Sequence, residues 1–394
     1  MKNSVRVLHV IGGVDLRFGG PSFAIWEILR MLIGSEAECT LAIGVVNAGE
    51  EELVREFCPQ VARVVSFPRE RVAKFHFSAA FTRRCGTLLG QADVVHLHGI
   101  WHWIAFWTAF RAATVNAPVL LRPAGSLDHF DLQKRAWIKR VLGPFLIRRM
   151  LGARNAVHCT SSREALNLQT YRGCARRVVL PLPVDERALQ SPASKAEARA
   201  QLGLPASAEI VLFMSRLNYK KGLELLIPAL DRAMLHHPSL FFVLAGSGDR
   251  AMEENIGRWL QTSAIGDRTK RVGFVTGPAK AAVLRASDLF VLPSMNENFG
   301  VSVVEAMLAG LPVVLSPGVY ITDDLGRSPA VRVCSRDIVA LAEAIEAQLY
   351  ALRQRPGLGD LAHMLARHLY SPQALCDRYV ACYREMAHGN VEGN

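Results

Sequence analysis

The chain has 394 residues, half of them apolar and 21% charged, with 46 Lys and Arg against 35 Asp and Glu for a formal net charge of +11. Such a composition excludes intrinsic disorder, collagen-like repetition and a small disulfide-stapled scaffold, and the length suits two domains of ordinary size. The eight cysteines form neither a CxxC pair nor a His/Cys cluster at zinc-finger spacing, so no disulfide framework and no structural zinc is expected.

Only Met1 to Ser4 precede the first strand-like run, Val5 to Ile11, and a signal peptide is not expected. Further short Val/Ile/Leu-rich runs follow at Cys39 to Val46, Val94 to His98 and Val119 to Arg122. Between the last two lies the most apolar stretch, Ile100 to Phe110, which Arg111 closes well short of the roughly 20 residues that span a bilayer. A soluble or peripherally attached protein is expected. Next comes a dense basic stretch, Lys134, Arg135, Lys139, Arg140, Arg148, Arg149 and Arg154, interleaved with Trp137, Ile138, Val141, Leu142, Phe145, Leu146 and Leu151. It suits a membrane-surface helix or contact with an anionic acceptor, although Pro144 interrupts the pattern; a solvated basic face is the alternative.

The segment Leu180-Pro181-Leu182-Pro183-Val184-Asp185 and the small, polar Ser191 to Ala200 together read as a crossover linker. A second series of strand-like runs follows at Ile210 to Met214, Leu240 to Ala245, Leu289 to Leu292 and Val313 to Ser316. Short apolar runs alternating with longer amphipathic stretches predict parallel sheets covered by helices, an α/β protein with two doubly wound domains. The expected division is residues 1–181, residues 182–371 and a C-terminal helix with a frayed tail over 372–394. Pro372 to Met386 carries Leu375, Tyr379, Cys382 and Tyr383 on one side and could pack on either domain.

Charge is distributed unevenly. Residues 1–181 hold 24 Lys and Arg against 13 Asp and Glu, whereas residues 182–394 hold 22 of each sign. The first half is thus suited to meet an anionic surface, a lipid-linked phosphate or a nucleic acid, beside the bland alternative of solubility. No nucleic-acid-binding fingerprint is present, and nucleic acid is set aside.

Chemistry concentrates between Asp288 and Leu315. A strand ending at Ser294, a tight loop Met295-Asn-Glu-Asn-Phe-Gly300, a helix from Val301 to Gly310 and a returning strand Leu311 to Leu315 follow one another. Gly310 and Pro312 stop the helix, and Gly300 permits close backbone approach where it opens. Ligands bind such sheets outside the carboxyl ends of the strands, and a helix N-terminus offers N–H groups to a phosphate. Glu305 lies about a turn inside the helix with its side chain tilted back toward that N-terminus, and Glu297 sits eight residues earlier in the loop. By itself such a glutamate pair is usually a solvated helix face.

The segment Glu297-Asn-Phe-Gly-Val-Ser-Val-Val-Glu305-Ala-Met, with Ala309-Gly-Leu-Pro-Val-Val314, resembles the E-x7-E signature of the family 4 retaining glycosyltransferases. Ser215-Arg216-Leu217-Asn-Tyr-Lys-Lys221-Gly222, Leu244-Ala-Gly-Ser-Gly248, Val94-Val-His-Leu-His-Gly99 and Phe18-Gly19-Gly20-Pro21 are similar to further segments of that family, so the likeness covers nearly the whole chain. It implies the GT-B fold, two Rossmann-like domains facing a central cleft, with a nucleotide-sugar donor, UDP- or GDP-linked, held on the C-terminal domain. Arg216 and Lys221 would neutralise the departing diphosphate, Glu305 would hold the ribose, and Glu297 with the backbone of Asn298, Phe299, Gly300 and Val301 would hold sugar and phosphates. Gly246, Gly248 and Phe274 join this donor set, and Gly19 and Gly20 would close on the distal phosphate. For Arg216 and Lys221 the plain alternative is a surface strand-to-helix loop.

On the acceptor side the resemblance points to His98 as a catalytic or orienting group, with a buried, hydrogen-bonded histidine as the alternative. Many family members carry a histidine, and some an arginine, in the loop written here Arg122-Pro-Ala-Gly-Ser-Leu-Asp128, where Ala124 stands instead; either Arg122 or Asp128 is expected to take over, or the substrate itself supplies the assistance on the donor face. A metal reading of His96, His98 and His102 lacks a carboxylate or fourth donor nearby in sequence. No metal and no cofactor beyond the sugar nucleotide is expected. The implied function is metal-independent hexosyl transfer with retention onto a glycan or lipid-linked acceptor in surface polysaccharide synthesis, cytoplasmic or peripheral at the inner face of the membrane. A sugar-nucleotide epimerase and a catalytically silent sugar-nucleotide-binding subunit are the alternatives.

Overall fold

The structure, a computed structural model, describes residues 4–13, 21–46, 63–68, 77–127, 154–168 and 176–389. Gly19, Gly20, Asp128 and the basic stretch from Lys134 to Arg149 lie outside the described residues. The chain divides into two compact units, one formed by Met1–Pro183 together with Pro372–Asn394, the other by Val184–Ser371.

The first unit is built on strands β1 (Val5–Gly13), β2 (Ala37–Val46), β3 (Arg63–Pro68), β4 (Val94–His98), β5 (Val119–Arg122), β6 (Ala156–Cys159) and β7 (Arg176–Val179). They form one parallel sheet in the order β3-β2-β1-β4-β5-β6-β7. Helices α1 (Pro21–Leu32), α2 (Ala79–Leu89), α3 (Trp103–Thr114) and α4 (Ser162–Asn167) connect them. Central strands buried on both faces read as continuous apolar runs, which is why β1, β2, β4 and β5 stand out in the sequence. The strands that reading misses are the edge strands β3 and β7, broken by Arg63, Ser66, Arg176 and Arg177, and the four-residue β6, broken by His158.

The second unit repeats the plan with β8 (Glu209–Met214), β9 (Leu240–Ala245), β10 (Thr269–Gly273), β11 (Leu289–Leu292), β12 (Val313–Leu315) and β13 (Val331–Val333) in the order β10-β9-β8-β11-β12-β13. Its helices are α5 (Lys195–Gln201), α6 (Leu223–Ala233), α7 (Arg250–Gln261), α8 (Gly277–Ala286), α9 (Val301–Leu308), α10 (Ile338–Gln354) and α11 (Leu358–Tyr370). Here too the unanticipated strands, β10 and β13, are the polar outer ones. Ser191 to Ala200 is not all linker: Ser194 and Glu197 form a reciprocal capping box that starts α5 inside this segment.

Within the second sheet the order reverses at β8: the chain runs outward to β9 and β10, then returns to place β11 on the other side of β8. The carboxyl ends of β8 and β11 therefore flank a topological switch point, where connecting loops diverge and leave a crevice.

Helix α12 (Pro372–His388) belongs to the first unit, against β1, β4 and α1. Its buried side comprises Leu375, Tyr379, Val380, Cys382, Tyr383 and Met386. Among the described residues no helix is long and apolar enough to cross a membrane.

Candidate functional site

The loop after β8 is shaped by local capping. Asn218 Oδ1 accepts from the Lys220 amide at 3.0 Å and starts a single 3-10 turn, Tyr219–Lys221. Gly222 then turns left-handed (φ 78°) and opens α6. Only glycine fits there, because a Cβ would lie 2.4 Å from the Pro293 carbonyl oxygen at the end of β11. The Lys220 carbonyl accepts from the Met295 amide at 2.6 Å, which ties the two loops together across the switch point.

The loop after β11 is held equally firmly on its other side. The Glu297 amide donates to Gly318 O at 2.8 Å and its carbonyl accepts from the Tyr320 amide at 3.0 Å. Asn296 Nδ2 donates to Tyr320 Oη at 2.8 Å. With both backbones fixed, Lys221 Nζ donates to Glu297 Oε2, and Lys221 is buried to 7% exposure. Two of the expected site residues, 76 positions apart in the chain, thus form an ion pair at the carboxyl edge of the sheet.

Gly300, left-handed at φ 82°, opens α9 with no side-chain cap, so the first amides of this helix have no local side-chain acceptor. Glu305 lies at 6% exposure within α9 and accepts from Lys280 Nζ at 2.6 Å. Lys280, in the first turn of α8, was not anticipated by the sequence reading. Phe299 turns its ring inward, edge-on to Tyr370 with centroids 5.5 Å apart, which leaves its backbone as the part available to a ligand.

Gly246 and Gly248, after β9, have their amides engaged internally, by Gly273 O at 2.7 Å and by Glu253 Oε1 at 2.9 Å. What they provide is close approach: a Cβ would sit 1.9 Å from Ser215 O at Gly246 and 2.6 Å from Leu217 O at Gly248. Arg216 is exposed and makes no ion pair with a described residue, and Phe274 is 56% exposed.

In the first unit, His98 and Arg122 are placed in a buried polar network. His9, His96, His98, Arg122 and His158 come from β1, β4, β5 and β6 and are 0–3% exposed. Leu180 O accepts from His158 Nε2 at 2.6 Å, so His158 Nδ1 is the acceptor for His96 Nε2 at 3.0 Å, and His96 Nδ1 accepts from Tyr383 Oη at 2.9 Å. A guanidinium can only donate. Arg122 Nη1 therefore donates to His98 Nδ1 at 3.2 Å, and His98 Nε2 donates to His9 Nδ1 at 3.2 Å. Tyr379 Oη donates to Pro181 O at 2.9 Å. Both ring nitrogens of His98 are occupied, so its place is in this network, with no nitrogen turned to an acceptor hydroxyl.

Burial, with smaller contributions from Arg122 and from the neighbouring histidines, pushes His9 and His158 down to about 3 and holds His96 and His98 well below the usual histidine range, so all four are neutral at pH 7. The donor atoms of His9, His96 and His98 lie within 4.8 Å of one another. This set does not fit a cation: His98 Nε2 carries the proton that Arg122 obliges it to carry, and a metal would add a second positive charge beside a buried guanidinium. His102 is elsewhere, capping α3 by accepting the Ala105 amide at 3.1 Å.

Lys280, His9, His158 and Tyr383 are the residues sequence reasoning missed. Histidines amid the apolar runs of β1 and β4 were the available signal for the buried network, and the alternative given for His98 used it; for Lys280 there was none, since its meeting with Glu305 depends on how α8 and α9 pack.

Comparison with known proteins follows the same division. Residues 19–184 match the model of the glycosyl transferase 4-like domain, and residues 194–349 that of the glycosyl transferases group 1. An uncharacterized glycosyltransferase of Methanocaldococcus jannaschii is 35% identical over 118 residues, 30% of each chain. The lipopolysaccharide core biosynthesis mannosyltransferase LpsB of Rhizobium meliloti is 32% identical over 213 residues, 53% of this chain and 58% of that protein. The chain thus spans less than two thirds of the length of these relatives. Among solved structures, HepE of Anabaena in complex with UDP and glucose superimposes with a TM-score of 0.76 at 17% identity, over 97% of this chain and 100% of that one, a likeness of fold. Two parallel-sheet units of this architecture, each matched by its own glycosyl transferase domain model, place the chain in the family 4, group 1 glycosyltransferases.

Proposed function

We propose that the protein transfers a hexose, with retention of anomeric configuration, from a nucleoside diphosphate sugar to an acceptor hydroxyl. The observation that carries this reading is the meeting of Lys221 and Glu297 at the switch point, beside the uncapped start of α9 at Gly300. A diphosphate at that helix start would meet free amides and positive potential, and Lys221 and the exposed Arg216 would supply the charge that stabilises it as it departs. Glu297, released from Lys221, would accept from sugar hydroxyls, and Glu305 from the ribose. In a front-face reaction the leaving phosphate takes the acceptor proton, so the chain contributes orientation and charge stabilisation and needs no covalent nucleophile. Support comes from the family and from the UDP and glucose named for HepE.

The acceptor we propose is a lipid-linked oligosaccharide in surface polysaccharide synthesis, met by a protein working in the cytoplasm, peripherally at the inner face of the membrane. The positive excess of residues 1–181 and the lipopolysaccharide role named for LpsB support it. Incubation with labelled UDP-, GDP- and TDP-sugars tests the reaction class: slow donor hydrolysis with the anomer retained is expected, 2-epimer formation would identify an epimerase, and tight binding without turnover a silent module. Salt-sensitive sedimentation with anionic liposomes is expected from the membrane reading, and its absence would remove that part.

A further inference from the structure

Lys280 is fixed by nothing in the E-x7-E segment, yet it meets that segment's second glutamate. Helix α8 leaves the carboxyl end of the edge strand β10 through Gly273 and Gly277, both left-handed (φ 70° and 51°), so its first turn lies on the same edge of the sheet as the loops after β8 and β11. Lys280 lies in that turn. Its Nζ donates to Glu305 Oε1 at 2.6 Å, and the two side chains are 14% and 8% exposed.

A carboxylate this buried has two needs: a counter-charge, and a fixed rotamer if it is to accept from a particular pair of hydroxyls. Lys280 supplies both. An ionised carboxylate has two oxygens and about four lone-pair sites, so a lysine on Oε1 leaves Oε2 and part of Oε1 open to further donors.

We infer that Lys280 is a positioning residue for ribose recognition: it holds Glu305 so that the remaining carboxylate sites take the vicinal hydroxyls of a nucleoside diphosphate. The inference rests on the proposed donor site and adds to it a residue that acts through Glu305.

Calorimetric titration of the full chain with UDP and GDP, and with their 2′-deoxy and 3′-deoxy forms, tests it in wild type, Lys280→Met and Lys280→Arg. Wild type should prefer the ribonucleotide by about tenfold over the deoxy forms, the scale of one hydrogen bond to a charged group. Lys280→Met should lose most of that preference while binding the deoxy forms nearly as wild type does, and Lys280→Arg should keep it. A merely structural role would weaken ribo and deoxy forms alike, and equal weakening in Lys280→Met, or an undiminished preference, overturns the inference while leaving the donor site standing. Should Lys280→Met fail to fold, Lys280→Gln is titrated in the same way with the same outcomes expected. Wild type that binds neither nucleotide overturns the donor-site reading and this inference with it.

Discussion

Lys221 and Arg216 lie five residues apart on one loop and stand in opposite states. Lys221 is buried and paired with Glu297, while Arg216 is exposed. Removing the buried partner leaves a half-buried carboxylate without its cation, so Lys221→Ala should cost stability as well as rate. Arg216→Ala touches no described partner and should leave stability within about 0.5 kcal/mol, the usual range for a surface change, while slowing turnover. Lys221→Ala and Glu305→Ala should each lower kcat/KM for the sugar nucleotide by at least about tenfold, the size of one charged contact made in the transition state. Steady-state kinetics with thermal melts on the three variants separates these effects, and wild-type rates in both Lys221→Ala and Glu305→Ala would remove the site assignment.

At the scale of elements, the loops after β8 and β9 pack so closely that side chains are excluded between them. Gly246 has φ 138°, and a Cβ there would meet Ser215 O at 1.9 Å. Gly246→Ala should therefore destabilise the second unit by about 1–3 kcal/mol, the range for a residue forced into a sparsely populated backbone region, and displace Arg216 with its loop. A melt indistinguishable from wild type would show that the loops yield easily. The same elements show what a sequence can disclose. Strands β4, β5, β9 and β11 were legible to the residue because central parallel strands are apolar on both faces, whereas β3, β7, β10 and β13 draw half their environment from solvent and carry arginines, lysines and threonines. The pieces of the site made by one local strand-loop-helix passage, Glu297 to Glu305, were equally legible. Pairings made by packing were not: Lys280 reaches Glu305 across 25 residues, and His96 reaches Tyr383 across 287.

For the whole molecule, acid should act first on the unit that holds the buried network of His9, His96, His98 and His158. His9, His96, His98 and His158 are neutral within a network whose other ionisable members are Arg122, Tyr379 and Tyr383, with Glu164 near enough to Arg122 to favour its charge. In the unfolded chain each histidine takes up a proton as pH falls through about 6.5, while in the folded chain His9 and His158 do so only near 3. Between these values the unfolded state binds more protons, so stability is full above pH 6.5 and declines as pH falls toward 3, by on the order of 1 kcal/mol per pH unit for each histidine kept neutral. Between pH 6.5 and 4.5 most carboxylates stay ionised, so the decline there belongs to the histidines. Tryptophan fluorescence reports on the correct unit, because Trp26, Trp101, Trp103, Trp107 and Trp137 belong to the first and Trp259 alone to the second. Urea unfolding followed by that signal should show a midpoint that drops from pH 7 to pH 4.5. His158→Gln, which keeps an amide donor for Leu180 O and removes one titrating ring, should flatten the drop even if it lowers the midpoint at pH 7. A midpoint independent of pH in the wild type would mean that these rings are protonated in the fold, and the directed hydrogen bonds from Tyr383 to Leu180 and from Arg122 to His9 would have to be redrawn.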